Sequence, residues 1–419
     1  MDNPARRGIS RPMGFDIDIL IAGGGLNGTT LALALASGGF DVTLVDPAPA
    51  RVRADGAFDG RSYALSVASQ RVLSALGLWD GLRETAGPIL DIKVTDGRAG
   101  EGPSPFILHF DHAEIEEGPM GYMVEDRHLR PALLAALGET GVTQIEGRRI
   151  VAQHHDETGI VATLDDGTAL TARVLIGCDG RMSGTALRAG IRHMRWGYDQ
   201  TALVCALSHE KPHASTAHQF FMPSGPLAIL PLKGDRSSIV WTETTARAEV
   251  IQALEADEYL DVLRPRFGDF LGEISLAGAR FSYPLGLSFA HRFVAPRVAL
   301  LGDAAHAVHP IAGQGLNAGL KDVAVLAEVL TDARRRGEDV GRLDVLERYE
   351  RWRRFDAATL ALATDTFNRL FSNDNPLLRV ARDLGLGVTN ALPKLRRSFI
   401  REAAGLTGDL PRLARGRPL

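Results

Sequence analysis

The sequence predicts a mixed architecture, α/β plus β: a parallel-sheet unit interleaved with a β-rich unit and followed by a helical C-terminus. Three observations predict it. The chain opens on a strand, glycine turn, helix and strand, FDIDILIAGGGLNGTTLALALASGGFDVTLVD at 15–46. Near residue 196 the apolar pattern changes to short runs separated by turn residues, and it stays so to about 283. A strand, an acid and a glycine-rich helix start, LGDAAHAVHPIAGQGLNAGLKD at 301–322, then return the chain to its opening pattern.

Each element follows from local pattern. Ile17 to Ala22 is an apolar strand, Leu26 to Ala36 has the density of a buried helix, and Val42 to Val45 is a second strand ending at Asp46. A helix is expected from Ser66 to Leu76, ended by Gly77, and 88–126 reads as extended. Val124 to Leu137 leads into a helix and Thr143 to Ile150 returns as a strand. Val161–Leu164 and Ala169–Ile176 flank Asp165-Asp166-Gly167, a hairpin signal. Short strands follow at Ala202–Leu207, His218–Phe221, Leu227–Pro231 and Ser238–Thr242, then two helices near 246–266. Val298 to Leu301 is a strand, a helix opens at 312–315 and continues through Leu326, and 342–371 is helical by its apolar spacing. The expected organisation is a flexible lead 1–14, a discontinuous cofactor domain 15–87, 124–195 and 284–375, a β-rich substrate domain 88–123 and 196–283, and a basic amphipathic segment 376–419.

The glycines carry chemistry. Gly23, Gly25 and Gly28 stand in G-x-G-x-x-G spacing between strand and helix, and Asp46 ends the next strand. That is the fingerprint of a Rossmann-like dinucleotide site: a turn, a close approach, a packing contact, and an acid for ribose hydroxyls. Asp46 alone leaves FAD and NAD open, because both present a ribose diol. The distant Gly302-Asp303 pair favours FAD. It joins a second sugar-binding carboxylate to a helix start whose Gly313 and Gly315 let a flat ligand approach the backbone N–H groups. The partial positive charge of that helix end suits a ring that becomes anionic on reduction.

These segments, with DGRSYALSVASQRVLSALGLWD at 59–80 and IGCDGRMS at 176–183, give the chain its resemblance. It resembles the class A FAD-dependent aromatic monooxygenases, whose fold is para-hydroxybenzoate hydroxylase-like, and within them the ubiquinone-biosynthesis hydroxylase family. The resemblance implies FAD as cofactor, NAD(P)H as co-substrate and hydroxylation of a polyprenylated phenol with O2 through a hydroperoxyflavin. It implies that Gly23, Gly25, Gly28 and Asp46 hold the adenosine diphosphate half and that Arg61 and Arg127 contact the cofactor. Asp179 and Gly180 would brace the first turn, and Gly302 and Asp303 would meet the ribityl or ribose hydroxyls. Pro310, Gly313, Gln314, Gly315, Leu316 and Asn317 would pass the pyrimidine side of the ring. Two departures stand out. The family's Asp-Gly-x-x-Ser-x-x-Arg has Ala186 at its last position, with Arg188 two residues on; Ala318 and Lys321 replace a leucine and an arginine. No individual catalytic residue is assigned.

Composition narrows the classes. A formal charge of −4 gives no electrostatic case for a nucleic-acid partner. No window reaches the roughly 20 apolar residues that span a bilayer, and the lead has no signal-peptide core. Cys178 and Cys205, the two cysteines, form neither a disulfide framework nor a metal site. His306 and His309 lie three apart beside Asp303 and read as structural hydrogen-bonding groups, with no metal expected. Phe220, Phe221 and Trp241 read as core, with a prenyl-tail channel as the alternative. Residues 376–419 carry nine Lys/Arg against three acids, which fits either a helix packed on its own protein or a peripheral membrane or biosynthetic-complex contact. The expected location is cytoplasmic, or peripheral on the inner membrane. Two other functions stay open: hydroxylation of a small soluble aromatic compound, and a flavin-retaining scaffold of a biosynthetic complex.

Overall fold

The computed structural model describes residues 17–53, 56–98, 100, 102–115, 117–309, 313–371 and 392–419. The expected lead 1–14, Pro310 and the 376–391 part of the basic segment lie outside the described residues. In chain order the first elements are β1 (Ile17–Ala22), α1 (Leu26–Ser37), β2 (Val42–Asp46), α2 (Ala50–Arg53), β3 (Ser62–Ser66), α3 (Val67–Ala75) and α4 (Trp79–Leu82). There follow β4 (Gly87–Ile89), β5 (Asp91–Arg98), β6 (Gly102–Asp111), β7 (Gly121–Glu125) and α5 (Asp126–Gly138). Next come β8 (Thr143–Glu146), β9 (Ile150–His155), β10 (Ile160–Leu164), β11 (Ala169–Gly177) and α6 (Gly184–Arg188). The middle of the chain is β12 (His193–His209), β13 (Thr216–Met222), β14 (Gly225–Pro231), β15 (Arg236–Thr244), α7 (Thr245–Gln252), α8 (Ala256–Phe267), β16 (Ile274–Leu276) and β17 (Phe281–Ala290). It closes with β18 (Val294–Ala295), β19 (Val298–Leu300), β20 (His306–Ala307), α9 (Gln314–Arg335), α10 (Leu343–Phe371) and α11 (Pro393–Ala403).

An eight-stranded sheet has the order β18-β19-β11-β1-β2-β8, with β10 and β9 added to β11. The pairs β19/β11, β11/β1, β1/β2 and β2/β8 are parallel. A parallel strand is covered on both faces, which is why β1 reads as continuous apolar sequence. Ile19, Leu20 and Ile21 are fully buried, and each such side chain contributes roughly 1.5–3 kcal/mol.

A nine-stranded sheet has the order β20-β17-β12-β15-β14-β13-β5-β6, with β16 on β12. One face packs under α7 and α8, with Leu203, Leu227, Ile239, Trp241, Tyr259 and Phe267 at its centre. Phe220 belongs to that core, whereas Phe221 points to the other face with Leu108. A small third sheet has the order β3-β7-β4, with β5 and β6 of the nine-stranded sheet falling between β4 and β7 in sequence.

Three expectations shift. The strand expected over 143–150 is two strands, because the chain turns at Gly147 with φ of +68°. The domain divisions placed at 195/196 and 283/284 fall inside β12 and β17, which pair with each other along their length. The division at 123/124 likewise falls inside β7, whose partners are β3 and β4 and not the large sheet. Strand pairing, not sequence punctuation, sets these limits.

The C-terminus packs on its own protein. Ile400 of α11 is buried in a cluster with Ile89, Ile115, Met120 and Met123. Arg396 pairs with Glu114 at 2.8 Å, Arg412 with Asp332 at 2.8 Å and Arg415 with Asp409 at 3.1 Å. No described helix is long and apolar enough to cross a membrane.

Candidate active site

The parallel order puts four motifs side by side. The carboxyl ends of β19, β11, β1 and β2 are neighbours, and they deliver Gly302-Asp303, Asp179-Gly180, Gly23 and Asp46. Backbone bonds lock the row: Cys178 N donates to Ala22 O at 2.7 Å and Leu301 N to Gly177 O at 2.9 Å. Ligands of such sheets bind in the crevice outside the strand ends.

The three opening glycines do different things. Gly23 has φ of +102°, and a Cβ on it would stand 2.5 Å from Cys178 O. A Cβ on Gly28 would stand 1.9 Å from Gly23 O, so the helix packs directly on the turn. Gly25 is exposed, and a Cβ there would meet nothing within 4 Å. Gly25 is also the N-cap of α1 with no side-chain cap bond, leaving the helix N–H groups facing the open space. Asp46 accepts from Gly24 N at 2.5 Å and Ala48 N at 2.7 Å. A carboxylate at the end of the second strand is the group that meets a ribose diol in a dinucleotide fold.

Asp179 is a brace. Its carboxylate accepts from Ser183 Oγ at 2.5 Å and from Thr185 N and Oγ1 at 2.9 Å each, holding the start of α6. Gly180 makes the intervening turn with φ of +80°. Ala186 is buried, and the guanidinium two residues later folds back toward the same place. Arg188 Nε donates to Gln153 Oε1 at 3.1 Å and Nη2 to Thr185 Oγ1 at 3.4 Å. Burial lowers the Arg188 pKa, and Asp179 opposes that shift.

The last segment is held from below. Gly302 N donates to Asp322 Oδ2 at 3.0 Å, and a Cβ on Gly302 would meet Asn27 Nδ2 of α1 at 2.5 Å. Asp303 is exposed at the crevice, yet the protein crowded around its carboxyl raises its pKa, with His306 and Arg181 opposing. Gly313, with φ of +64°, stands at the N-cap of α9 and brings no side chain to cap it. A Cβ on Gly315 would meet nothing within 4 Å. Gln314, Gly315 and Leu316 are half-buried along this edge.

Asn317 is committed elsewhere. Its Oδ1 accepts from Ser66 N at 2.9 Å and Ser69 Oγ at 2.7 Å, and its Nδ2 donates to Ala64 O at 2.8 Å and Gly313 O at 3.0 Å. It pins α9 to β3 and α3, and its side chain has nothing left to offer a ring. Arg61 and Arg127 stand where the small sheet meets the nine-stranded one. Arg61 pairs with Asp59 at 2.6 Å and lies over the Phe281 ring. Arg127 pairs with Glu125 at 2.6 Å and lies over Phe58, which Arg236 covers as well.

Sequence reasoning assigned no role to Asp322, Arg353 or Asn27. Asp322 is fully buried and accepts from His306 Nε2 at 2.7 Å and Arg353 Nε at 2.6 Å, besides Gly302 N. Burial alone raises its carboxyl pKa, but His306 and Arg353 outweigh it and hold the group at about 2. Arg353 also reaches Asp356, which Lys321 joins at 2.6 Å. The lysine at 321 therefore completes an ionic network behind the Gly302-Asp303 turn. A charged residue within an apolar helical stripe was the available signal for Arg353.

The residues fit a dinucleotide with a flavin ring: two helix starts with glycine at the N-cap, two glycines whose missing Cβ leaves open space, and two carboxylates at strand ends. The comparisons with known proteins agree. The family model for an FAD binding domain matches residues 16–362. The ubiquinone hydroxylase UbiL of Rhodospirillum rubrum is 46% identical over 406 residues, 96% of this chain and 93% of that one. The 3-demethoxyubiquinol 3-hydroxylase of Escherichia coli is 35% identical over 393 residues, 93% of this chain and 98% of that one. Among solved structures, PqsL of Pseudomonas aeruginosa in complex with 2-aminobenzoylacetate matches with a TM-score of 0.72 at 25% identity, covering 88% of this chain and 99% of that one. The p-nitrophenol 4-monooxygenase PnpA of Pseudomonas putida shares the fold, with a TM-score of 0.77 at 20% identity over 94% of this chain and 99% of that one. With a cofactor crevice at the strand ends and relatives aligned along nearly its whole length, the chain belongs to the FAD-dependent aromatic monooxygenases, in the ubiquinone-biosynthesis hydroxylase family.

Proposed function

We propose that this protein hydroxylates the aromatic ring of a polyprenylphenol intermediate on the way to ubiquinone, using FAD, NAD(P)H and O2. One observation carries the reading: the row of strand ends groups Gly23, Asp46, Asp179 and Asp303 in a chain that aligns end to end with ubiquinone hydroxylases. FAD, when bound, supplies the transfer of electrons from NAD(P)H and the activation of O2. The protein binds and orients. The α1 start and Asp46 would hold the adenosine diphosphate half, and Asp303 would accept from sugar hydroxyls farther along. The α9 start would face the ring with its N–H groups, favouring negative charge there. The eight-stranded sheet would serve as the cofactor side and the nine-stranded sheet as the substrate side.

A strain lacking this gene is expected to accumulate an under-hydroxylated prenylphenol, detected by mass spectrometry of its lipid extract. Wild-type complementation should clear it, and Asp303→Ala should not. Normal ubiquinone in the deletion strain would overturn the lipid substrate and leave a small aromatic one. Rescue by an Asp303→Ala protein shown to lack FAD would move the function to a scaffold.

We also propose that α11 contacts an anionic membrane surface. Lys394, Arg397 and Arg401 recur on one exposed side of the helix. Each such cation contributes about 1 kcal/mol near an anionic surface, so reversing all three to Glu should weaken binding by at least roughly a hundredfold. Flotation with phosphatidylglycerol vesicles checks this; equal flotation of variant and wild type would discard it.

A further inference from the structure

We propose that His309 is the residue that takes the ring hydroxyl of the phenolic substrate, through a hydrogen bond at one of its ring nitrogens. The inference rests on the aromatic-hydroxylase reading above. His309 is 1% exposed, and neither Nδ1 nor Nε2 has a hydrogen-bond partner among the described residues. Buried polar groups are nearly always paired, and an orphan calls for a physical reason. The same loop meets this need three residues earlier, where His306 is bonded to Asp322. At His309 it does not.

The chemistry of the vacant bonds is specific. A neutral imidazole offers one donor and one acceptor on different edges of its ring, and a phenol hydroxyl can bond to either one of them. Burial lowers the His309 pKa to about 4, so the ring is neutral at ordinary pH. A second polar ring stands beside it: Tyr198, whose hydroxyl lies within reach of Asp365 and Trp196, meets the imidazole edge-on with centroids 5.2 Å apart.

Position supports a substrate role. His309 lies in the loop that joins Asp303 to the α9 start. Its predecessors His306 and Ala307 pair with Phe289 and Ser288 of the nine-stranded sheet, so the loop bridges the two sheets. Asp365 is the acid that acts on both Tyr198 and His309, and its carboxylate accepts from Trp196 Nε1 at 3.2 Å and pairs with Arg369 at 2.9 Å. Trp196 and Asp365 also line an apolar groove of about 280 Å³ with Leu287, Phe289 and Ala361. Asp365 is thus shared between the His309 imidazole and an apolar groove, the two features that a ligand with a hydroxylated ring and an apolar tail requires.

The test compares binding of a short-chain prenylphenol with that of its O-methyl ether to full-length holoenzyme, by quenching of flavin fluorescence. The wild type is expected to prefer the phenol by about tenfold or more, the range of one hydrogen bond. His309→Phe should lose that preference while keeping its FAD content, and His309→Gln should restore part of it. Preference unchanged in His309→Phe, or no preference in the wild type, overturns the proposal. So does loss of FAD from both variants with unchanged melting, which would assign His309 to the cofactor. Should His309→Phe fail to fold, long-range ¹H–¹⁵N spectra of the wild type decide: the His309 nitrogens should shift with the phenol and stay still with the ether. Binding is read here, not turnover. A wild type that prefers the phenol but hydroxylates no prenylphenol would therefore sink only the ubiquinone reading.

Discussion

Gly25→Ala is expected to fold as the wild type does and to bind FAD at least roughly tenfold more weakly, because the new methyl occupies the approach to the α1 start. The protein itself has room for that methyl: nothing lies within 4 Å of it, and the Gly25 φ of −68° suits any residue. Gly28→Ala should behave in the opposite way. Its methyl would stand 1.9 Å from Gly23 O, a backbone atom that moves only with β1. Overpacking of this kind costs about 1–3 kcal/mol or more, so this variant should melt lower even without cofactor. The measurements are thermal melts of FAD-stripped protein and equilibrium FAD titrations. Equal FAD affinity in Gly25→Ala and wild type would show that the cofactor does not approach α1 at this glycine.

Asp322→Asn should cost about 3–5 kcal/mol of stability, the usual penalty for leaving a buried charge without its partner. Arg353 is 2% exposed and makes its shortest ion pair, 2.6 Å, with this carboxylate. The amide keeps the shape but offers one acceptor oxygen to three donors, so the Gly302 turn should loosen and FAD affinity fall with stability. The pH dependence has a definite sign. The folded carboxyl sits at about 2, below its ordinary value of 3.8, so its contribution is complete above pH 4 and is lost as pH falls toward 2. Denaturant unfolding at pH 7, repeated between pH 5 and pH 3, checks both statements. Asp322→Asn should lose less stability than wild type across the acid range. Equal midpoints at pH 7 would refute the network's role.

The crevice was legible wherever it is written locally. Gly23, Gly25, Gly28 and Asp46 fall within one βαβ unit, where spacing along the chain fixes spacing in space. Gly302-Asp303 was legible for the same reason, as a strand end followed by a helix start. The supports were not legible, since they join residues far apart. Arg353 meets Asp322 from a helix whose period shows only that it packs, and Asn27 meets Gly302 and Gly319 from the other end of the sequence. Asn317 shows the limit of motif reading: its place in the glycine-rich helix start was clear, but the four bonds that consume its amide depend on where β3 and α3 come to rest. Strand limits were illegible for a similar reason. β12 and β17 continue through the expected divisions because their partners, not their turn residues, decide where pairing stops.

The parallel order also fixes when the crevice can exist. β19 is the neighbour of β11, and Gly302 sits against Asn27, so the site begun by the first fifty residues is finished by a segment past Val298. Asn317 then ties the α9 start to Ser66, and the backbone of Ala68 donates to Ala404 O at 3.1 Å. During synthesis, a chain halted before Val298 holds the nucleotide fingerprint but lacks the strand end that completes it. A cofactor held at both ends of the crevice therefore needs the chain at least through the α9 start.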